Sequence, residues 1–572
     1  MNVFESYTQG INPIPKNHLA WPLYGNGVSS LGKNGKPVER PVPDFADDEL
    51  LMRVDAVSMC FTDVKEISQG ESHPRLTGRD LMKDPIVPGH ELSMTVIGVG
   101  KNLSEKYRIG DRYTMQPDVW VDGKSIPFCF GMDGGYRQYA RIGKEILDGD
   151  AGNYLIPVTK DIPYAAAAIT EPWACVEASY RAEYRDQLRN QGAVWIVGCE
   201  KSREGYSPDT LFKSAAPASV VISNIPEDLK AKLMEICANA NIAIVEKAFV
   251  KVFESEDMFD DVLSLDCSAS QITQMSAKLC KGGVHAFYGG EDAGMIEIDL
   301  GRLHYDDVFF VGSQSLDLHE GYTQTPPRVE LLSGGKMLIV GAGGPMGRMH
   351  LQRALEAKNG PSLIIASEVT NERFEALKDF YCPLAKTHNK ELIVVNPKDK
   401  PDEYASVMQR VMDAGGFDDI EIMITIVPVI SDVLSYAGKH CVVNLFAGLK
   451  RGITMQVNKQ LIQGPKQVRF IGHSGSALED QIAVVDKMLT GELKPELSVA
   501  AVGGMMQIAD GIQAMIDWKY PGKVVIYPHV LDFPLTAMHE FKEKMPEVYT
   551  SLGDGETWTK KSEEIFLDTE LG

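Results

Sequence analysis

The chain has 572 residues and a formal net charge of -22 at pH 7. That length exceeds one ordinary hydrophobic core, so we expect two to four domains. The negative charge would repel a phosphate backbone, which excludes nucleic acid as an expected partner. No apolar run approaches the roughly 20 residues of a membrane helix, and the first residues lack the apolar core of a signal peptide. We therefore expect a cytoplasmic protein with no membrane partner. The nine cysteines include no Cys-x-x-Cys pair, which is typical of a reducing compartment.

The first part of the chain is predicted to be rich in β-strands. Short apolar segments, such as residues 50–57 and 93–99, are separated by clusters of Gly, Pro and Asp. Polar motifs follow in the order Cys60-Phe61-Thr62-Asp63, Gly89-His90-Glu91, Gly110-Asp111-Arg112, Gly134-Gly135-Tyr136 and Glu171-Pro172. These motifs bring a thiol, an imidazole and carboxylates into one domain, and all three are zinc-binding donors.

From Ala193 onwards the pattern changes to that of a nucleotide-binding α/β fold. Apolar strand patterns alternate with helical ones, and motifs then recur further along the chain. The segment 259–261, Phe-Asp-Asp, matches 417–419 at a separation of 417 − 259 = 158, and Gly312 matches Gly472 at 472 − 312 = 160. We therefore predict two tandem copies of one fold.

The second copy begins with a glycine-rich turn. Residues 335–347 read GKMLIVGAGGPMG, which predicts a strand and a tight turn, and a helical pattern follows. Such a turn lets the backbone approach a pyrophosphate at a helix N-terminus. Glu368 follows after 368 − 347 = 21 residues, where an acidic side chain meets ribose hydroxyls, which favours NAD over NADP. The other interpretation is an ordinary β-α-β turn with a solvated Glu368. The residues predicted to bind the coenzyme are Gly341, Gly343, Gly344, Met346, Gly347 and Glu368.

The first copy lacks this turn. Residues 198–205 read GCEKSREG, and Asn224 stands where the second copy has Glu368, so we predict that the first copy does not hold NAD. The distance from the first strand to Phe-Asp-Asp is also shorter, 259 − 198 = 61 against 417 − 341 = 76, which predicts a trimmed helix or strand.

These motifs, together with the segment Gly522-Lys523-Val524-Val525-Ile526-Tyr527-Pro528, resemble the zinc-dependent medium-chain dehydrogenases, and within them the sorbitol dehydrogenase and sorbose-phosphate reductase branch. The resemblance covers residues of about 18–200 and 335–528. With the repeat, it predicts an α/β chain composed of a GroES-like β-rich catalytic domain and two tandem Rossmann-like, doubly wound parallel-sheet domains. The predicted bounds are 1–185 for the catalytic domain, completed by about 490–528, 190–318 for the degenerate Rossmann-like domain, 335–490 for the NAD-binding domain and 529–572 for a C-terminal extension without an assigned function.

The resemblance implies one catalytic zinc, with Cys60, His90 and Glu171 as ligands and Glu91 as an exchangeable or outer carboxylate. A catalytic zinc takes about three protein ligands and keeps one position open. Taken singly, Cys60 is also consistent with a small buried hydrophobe and His90 with a core histidine, so a metal-free relative is the alternative. Because only Cys129 follows where the family's structural zinc needs four close cysteines, we predict no structural zinc.

The predicted catalytic residues are Thr62, Glu91 and Lys65. The resemblance implies that Thr62 is the hydroxyl that relays the substrate proton. Lys65 stands where many members carry a relay histidine, and it is either part of that path or a surface charge. The extra loop before His90 carries four further polar side chains, which are predicted either to bind a phosphate or carboxylate or simply to be solvated. They are His73, Arg75, Arg79 and Lys83.

The predicted function is hydride transfer between NAD(H) and a secondary alcohol or ketone of a polyol, sugar or sugar phosphate, dependent on zinc. The alternative is an NAD-binding redox sensor or scaffold without turnover; metal-free quinone reduction conflicts with the retained zinc-ligand pattern.

Members of the family commonly dimerise by continuing the nucleotide-domain sheet across subunits. We therefore expect an internal pseudo-dimer of the two copies, in a chain that also forms a homo-oligomer, the alternative being an independent domain with its own substrate or regulator pocket.

Overall fold

A computed structural model describes residues 3–181, 184–290, 294–325, 327–328, 330–553 and 556–572. It divides into two compact units, Met1–Glu177 with Gly344–Met349 and Gly475–Gly572, and Ala178–Gly343 with His350–Ser474. Within the described ranges, none of the helices is both long enough and apolar enough to cross a bilayer.

The first unit is built on an eight-stranded, mostly antiparallel sheet. Its central strand, Leu50–Ser58, is buried along its whole length and pairs with Glu91–Val99, Tyr139–Ile142 and Lys523–Tyr527. The remaining strands of this sheet are Arg112–Met115, Leu155–Val158, Val499–Gly504 and Thr536–Ala537. Residues from both ends of the chain therefore complete one sheet and share one apolar core.

Short strand pairs and helices surround this sheet. The pairs are Asn17–Ala20 with Val38–Pro41, and Trp120–Val121 with Lys124–Ser125. The helices are Val3–Thr8, Phe61–Gln69, Lys144–Leu147, Tyr164–Ala168, Thr170–Ser179, Leu478–Leu489, Ile508–Ile516, Phe541–Lys544, Pro546–Ser551 and Lys560–Leu571. The segment 529–572, which the sequence suggested to be an appended extension, supplies one strand and three of these helices.

Glu563, in the helix Lys560–Leu571, caps a helix in the first third of the sequence. Its two carboxylate oxygens accept the backbone N–H groups of Tyr164 and Ala165, at 2.5 and 2.8 Å, at the N-terminus of Tyr164–Ala168. These N–H groups have no partner inside the helix, so a buried acceptor is needed there. The C-terminal segment is thus part of the first unit's core.

The second unit contains two six-stranded parallel sheets of the same order. In the first copy the order is Ala243–Glu246, Ser219–Ser223, Ala193–Val197, Phe259–Leu265, Leu279–Tyr288 and Phe309–Ser313. In the second copy it is Glu391–Val395, Leu363–Ser367, Lys336–Val340, Phe417–Ile422, Ala437–Leu445 and Arg469–Gly472. Both follow the 3-2-1-4-5-6 order of a doubly wound dinucleotide fold.

The shortening predicted for the first copy falls on helices and not on strands. The helix after its first strand, Asp209–Ser214, has six residues, whereas Pro345–Glu356 in the second copy has twelve. Similarly, Phe249–Glu254 has six residues and Pro401–Asp413 has thirteen. The other helices are Glu227–Ala240, Ala269–Ser276, Leu300–Tyr305, Glu320–Thr323, Asn371–Thr387, Val427–Val433 and Gln460–Gln463. A parallel strand lost from the middle would break the sheet, whereas a crossover helix can be shortened.

The repeat extends upstream of the start that sequence motifs indicated. Arg185 is ion-paired with Asp261 at 2.9 Å in the first copy, and Arg328 is ion-paired with Asp419 at 2.6 Å in the second. The separation 328 − 185 = 143 equals that between the first-strand turns, 341 − 198 = 143. Each arginine thus holds the chain entering its copy against the second aspartate of Phe-Asp-Asp.

The two copies also share an antiparallel strand pair, Met295–Asp299 with Thr454–Asn458. In the repeat, Met295 corresponds to Thr454 and Asp299 to Asn458, both at a separation of 159 (454 − 295 and 458 − 299). The observed register pairs Met295 with Asn458 and Asp299 with Thr454, so exchanging the copies maps the ladder onto itself. Such self-complementary pairing is the pattern of a two-fold interface.

Candidate metal and coenzyme sites

Cys60, His90 and Glu91 bring their ligating atoms within 4.8 Å of one another in the first unit. The register of the central sheet explains this convergence, because Ser58, at the end of one strand, pairs with Glu91 at the start of its neighbour. Cys60 then caps the helix Phe61–Gln69, with its Sγ accepting the backbone N–H of Thr62 at 3.5 Å. Three donors of the types that zinc accepts therefore meet where two strands end.

Asp63 fixes the orientation of the His90 ring. Its Oδ1 lies 3.1 Å from Nδ1 of His90, and its Oδ2 accepts the backbone N–H of Cys60 at 2.9 Å and the hydroxyl of Tyr136 at 2.8 Å. Burial favours the neutral acid, but His90 and these hydrogen bonds lower the pKa of Asp63 below its ordinary value. Because Nδ1 is engaged, Nε2 of His90 is the nitrogen left for a metal.

Glu91 is held on one side only. Its Oε1 lies 2.6 Å from Nζ of Lys523, which also donates to the carbonyl of Met59 at 2.8 Å. Among the described residues, Oε2 of Glu91 has no hydrogen-bond partner although it is buried. An unpartnered carboxylate oxygen beside a thiol and an imidazole is unfavourable in a folded core unless a cation is bound there. These residues therefore fit a divalent metal.

Glu171 is not a member of the three-residue group. It is the second residue of the helix Thr170–Ser179 and is half-buried, and its Oε1 accepts a hydrogen bond from Sγ of Cys175 at 3.5 Å. Burial raises the pKa of Glu171 to about 7; His90 lowers it and Glu91 raises it, so the three groups interact electrostatically. The Glu171 and Glu91 carboxylates therefore repel each other, and a bound cation would relieve that repulsion.

A second group, which the sequence did not suggest, lies on the other side of the His90 ring. The ligating atoms of Asp63, His90 and Cys129 lie within 4.8 Å of one another, and all three residues are buried. Cys129 has a φ of 74°, and its Sγ lies 3.9 Å from Nδ1 of His90. Its spacing from other motifs carried no signal, because the residue reaches His90 through the folding of the loop that contains it.

The two remaining predicted catalytic residues differ in exposure. Thr62 is half-buried beside Cys60, whereas Lys65 is exposed, with Nζ 5.8 Å from the centre of the Phe61 ring. This exposure matches the surface-charge interpretation of Lys65 better than the proton-relay one.

The charged side chains of the extra loop are paired within the protein. Arg75 lies 3.1 Å from Asp118, Arg79 lies 3.0 Å from Asp84, and Lys83 lies 2.7 Å from Asp80. His73 stacks on Phe130 with ring centroids 4.9 Å apart. Of the three cations, Arg75 has its carboxylate partner furthest along the chain and keeps 49% of its side chain exposed.

The glycine turn of the second copy has the backbone geometry that its sequence predicts. Gly341 has a φ of +83°, and a Cβ there would lie 2.5 Å from Ile424. A Cβ on Gly343 would overlap Oε2 of Glu368, which accepts the backbone N–H of Gly343 at 3.0 Å. Oε1 of Glu368 accepts the N–H groups of Val369 and Thr370, both at 2.9 Å. The carboxylate is thus fixed at the turn.

The three other predicted coenzyme residues, Gly344, Met346 and Gly347, lie where the turn enters the helix Pro345–Glu356.

The corresponding edge of the first copy is organised differently. Asp266 holds the loop that follows Gly198: its carboxylate is ion-paired with Arg203 at 3.0 Å and accepts the hydroxyl of Tyr206 at 2.8 Å. The next helix begins only at Asp209, so in the described residues 198–208 the first strand is followed by a loop and not by a helix N-terminus. A phosphate here would meet the Asp266 carboxylate in place of the free N–H groups of a helix end.

Comparisons with known proteins agree with these features. The alcohol dehydrogenase GroES-like domain matches residues 46–147. The mannitol-1-phosphate 5-dehydrogenase of Aliivibrio fischeri is 23% identical over 351 residues, covering 52% of this chain and 82% of the relative. The sorbitol dehydrogenase of Gallus gallus is 38% identical over 220 residues, covering 36% of this chain and 56% of the relative. The solved structure of 2R,3R-butanediol dehydrogenase from Bacillus subtilis superposes with a TM-score of 0.51 at 15% identity, over 89% of this chain and 99% of that chain, which indicates a shared fold. The predicted fold class is confirmed.

Proposed function

We propose that the chain is a zinc-dependent medium-chain dehydrogenase, a zinc- and NAD-dependent oxidoreductase acting on a secondary alcohol or ketone of a polyol, sugar or sugar phosphate; the matching GroES-like domain and the similarity to a sorbitol dehydrogenase support this. The observation that carries the proposal is the convergence of Cys60, His90 and Glu91 around the unpartnered Oε2 of Glu91. The names of the two relatives, a mannitol-phosphate and a sorbitol dehydrogenase, support a polyhydroxylated substrate.

We propose that Cys60, His90 and Glu171 hold the zinc and that Glu91 is an exchangeable or outer carboxylate. Bound zinc acts as a Lewis acid toward an alcohol or carbonyl oxygen. Asp63 accepts the Nδ1–H of His90 and so orients that ligand. The half-buried hydroxyl of Thr62 is the first group to carry the substrate proton. Because Lys65 is exposed, any part that it takes in proton transfer is at the solvent end of that path.

We propose that the second copy carries the NAD. The coenzyme accepts or donates the hydride, and the protein supplies its binding and orientation. The open space at Gly344 and the start of the helix Pro345–Glu356 provide room and N–H groups for the pyrophosphate. The Glu368 carboxylate, already fixed at the turn, accepts ribose hydroxyls and repels the extra phosphate of NADP.

The substrate is either a free polyol or sugar or a phosphorylated one. A substitution of Arg75 distinguishes the two. Arg79 and Lys83 each pair with an acid within five residues, so their positive charge is locally balanced. Arg75 is half exposed and pairs with Asp118, which raises the pKa of Glu171 and therefore lies near the proposed metal site. If the substrate carries a phosphate, replacing Arg75 with Met raises KM for the sugar phosphate and leaves KM for the free polyol unchanged.

We also propose that the two copies form an internal pseudo-dimer. The self-complementary register of Met295–Asp299 with Thr454–Asn458 supports this arrangement, and at its centre Gln456 donates to Glu297 at 2.7 Å. The first copy then serves as the partner that a second subunit supplies in related dehydrogenases, which is consistent with its lack of a glycine-rich phosphate turn.

Metal analysis and turnover on one protein sample test the proposal. Purified protein is expected to hold about one zinc per chain and to change absorbance at the NADH band with at least one member of a panel of sugar alcohols, ketoses and their phosphates. Cys60→Ser is expected to lose both zinc and turnover, whereas Cys280→Ser, a half-buried thiol of the first copy, retains them. NAD binding without zinc and without turnover would instead favour the sensor or scaffold.

A further inference from the structure

Two thiols lie together at the carboxyl edge of the first copy, outside the proposed metal and coenzyme sites. Cys199 follows the strand Ala193–Val197 and Cys267 follows the neighbouring strand Phe259–Leu265, in parallel register. Each sulfur reaches toward the other's strand: Sγ of Cys199 lies 3.3 Å from the carbonyl of Asp266, and Sγ of Cys267 lies 3.7 Å from the carbonyl of Val197. Each thiol is therefore placed at the end of the strand that carries the other, and each shifts the pKa of the other.

The two sulfurs differ in exposure and in ionisation. Cys199 is half-buried, and hydrogen bonds from Cys267 and from the backbone N–H of Lys201 lower its pKa to about 6 against the opposing effect of burial. Cys267 is 2% exposed, and its hydrogen bond to Cys199 together with burial raises its pKa. The accessible partner is therefore the better nucleophile, and the buried one is placed to attack second.

The loop that carries Cys199 is anchored by polar contacts. The hydroxyl of Ser202 donates to the carbonyl of Leu265 at 2.7 Å and accepts the backbone N–H of Cys199 at 2.7 Å. The backbone N–H of Gly290 donates to the Asp266 carboxylate at 3.0 Å, which fixes the residue before Cys267. These contacts hold the backbone beside both thiols in place.

The pair occupies the edge of the first sheet that corresponds to the edge carrying the glycine turn in the second copy. Cys199 comes two residues after Val197, as Ala342 comes two residues after Val340. By the same registers, Cys267 corresponds to Thr425. Thiols in the first copy thus stand where the second copy has an alanine and a threonine, which cannot form a disulfide.

We propose that Cys199 and Cys267 form a reversible disulfide by exchange with a low-molecular-weight disulfide of the glutathione type. The Cys199 thiolate attacks the small disulfide, forming a mixed disulfide and releasing one small thiolate. The Cys267 sulfur then attacks Cys199, forming the internal bond, and its proton goes to the second departing small thiol. The two protein thiols lose two electrons, and one small disulfide becomes two thiols.

Peptide mapping of the full chain after treatment with oxidised glutathione tests the proposal. Trypsin should yield peptide Asn190–Lys201 linked to Val252–Lys278, and dithiothreitol should separate them. In the reduced protein at pH 7, Cys199 is expected to react with iodoacetamide about tenfold or more faster than the half-buried Cys280 and Cys382.

The variant Cys267→Ser distinguishes disulfide formation between the two cysteines from the reactivity of Cys199 alone. This variant is expected to accumulate a glutathione adduct on Cys199 that the wild type resolves into the linked peptides, with circular dichroism confirming that both are folded. The proposal is overturned if Cys199 reacts no faster than Cys280 and Cys382, or if wild type and variant accumulate the same adduct. Neither outcome depends on zinc, NAD or turnover, so this test is independent of the proposed function.

Discussion

Nζ of Lys523 lies 2.6 Å from Oε1 of Glu91, and both side chains are buried in the first unit. Lys523→Met leaves the Glu91 charge without this partner, which is expected to destabilise the metal-free protein by about 3–5 kcal/mol. Added zinc should recover part of that loss, because a cation at Oε2 offsets the same charge. The thermal unfolding midpoint with chelator and with zinc measures both effects. Lys487→Met, which breaks a more exposed pair with Glu177, is the control and should cost less. An equal loss with and without zinc would argue against a metal at Glu91.

Asp63 is expected to set metal affinity through His90. Asp63→Asn keeps the shape of the side chain but removes the charge that holds Nδ1–H, so zinc affinity should fall about 10- to 100-fold. Competition with a chromophoric chelator measures the change. Asp47→Asn, at an exposed surface pair, is the matched control. Unchanged affinity in Asp63→Asn would show that His90 is not a ligand.

Glu368 is expected to select the coenzyme. Glu368→Ser removes the carboxylate that would accept ribose hydroxyls, so NADH affinity should fall about tenfold while the preference against NADPH weakens. Fluorescence titration with both coenzymes measures the ratio. Glu372→Gln, a change of the same charge four residues away in the next helix, should leave it unchanged. Retained discrimination in Glu368→Ser would mean that another group reads the ribose.

His285 is expected to make stability depend on pH. Its Nε2 lies 2.5 Å from Ser264 Oγ and its Nδ1 lies 2.9 Å from Ser276 Oγ, and burial lowers its pKa to about 3. The unfolded chain, with an ordinary value near 6.5, binds a proton at higher pH than the folded chain. The stabilising contribution is therefore complete above about pH 6.5 and is lost as the pH falls toward 3.

His285→Gln should reduce that dependence. The thermal midpoint of the wild type is expected to fall more steeply between pH 6.5 and 4.5 than that of the variant. His319→Gln, a change at a half-buried histidine of the same copy, should keep the wild-type slope. Parallel curves for wild type and His285→Gln would contradict the assignment.

Local sequence patterns predicted much of this architecture. Repeated Phe-Asp-Asp segments and the glycine turn of residues 341–347 indicated two related α/β copies, because strand and turn signals are short-range. Cys60 and His90 were predicted as site residues because the order of their motifs resembles that of the zinc-dependent medium-chain dehydrogenases. Those signals predicted two doubly wound parallel sheets, and the structure has six strands in each.

The contacts that complete the candidate site could not be predicted in this way. Lys523 lies 523 − 91 = 432 residues after Glu91, and no periodicity relates them. Cys129 reaches His90 through a loop whose course depends on tertiary packing. The contact between the Glu368 carboxylate and Gly343 likewise depends on a side-chain conformation that spacing does not encode.

The pairing of Leu50–Ser58 with Lys523–Tyr527 has a consequence for synthesis of the chain on the ribosome. The central strand is made before both Rossmann copies, but its neighbour is made 523 − 58 = 465 residues later, and Glu563 follows later still. Both Rossmann copies are translated in between, so their sheets can form before the first sheet is closed. Until then, the edge of Leu50–Ser58 that later pairs with Lys523–Tyr527 can pair with other nascent chains. A chain truncated before Lys523 would keep that edge unpaired.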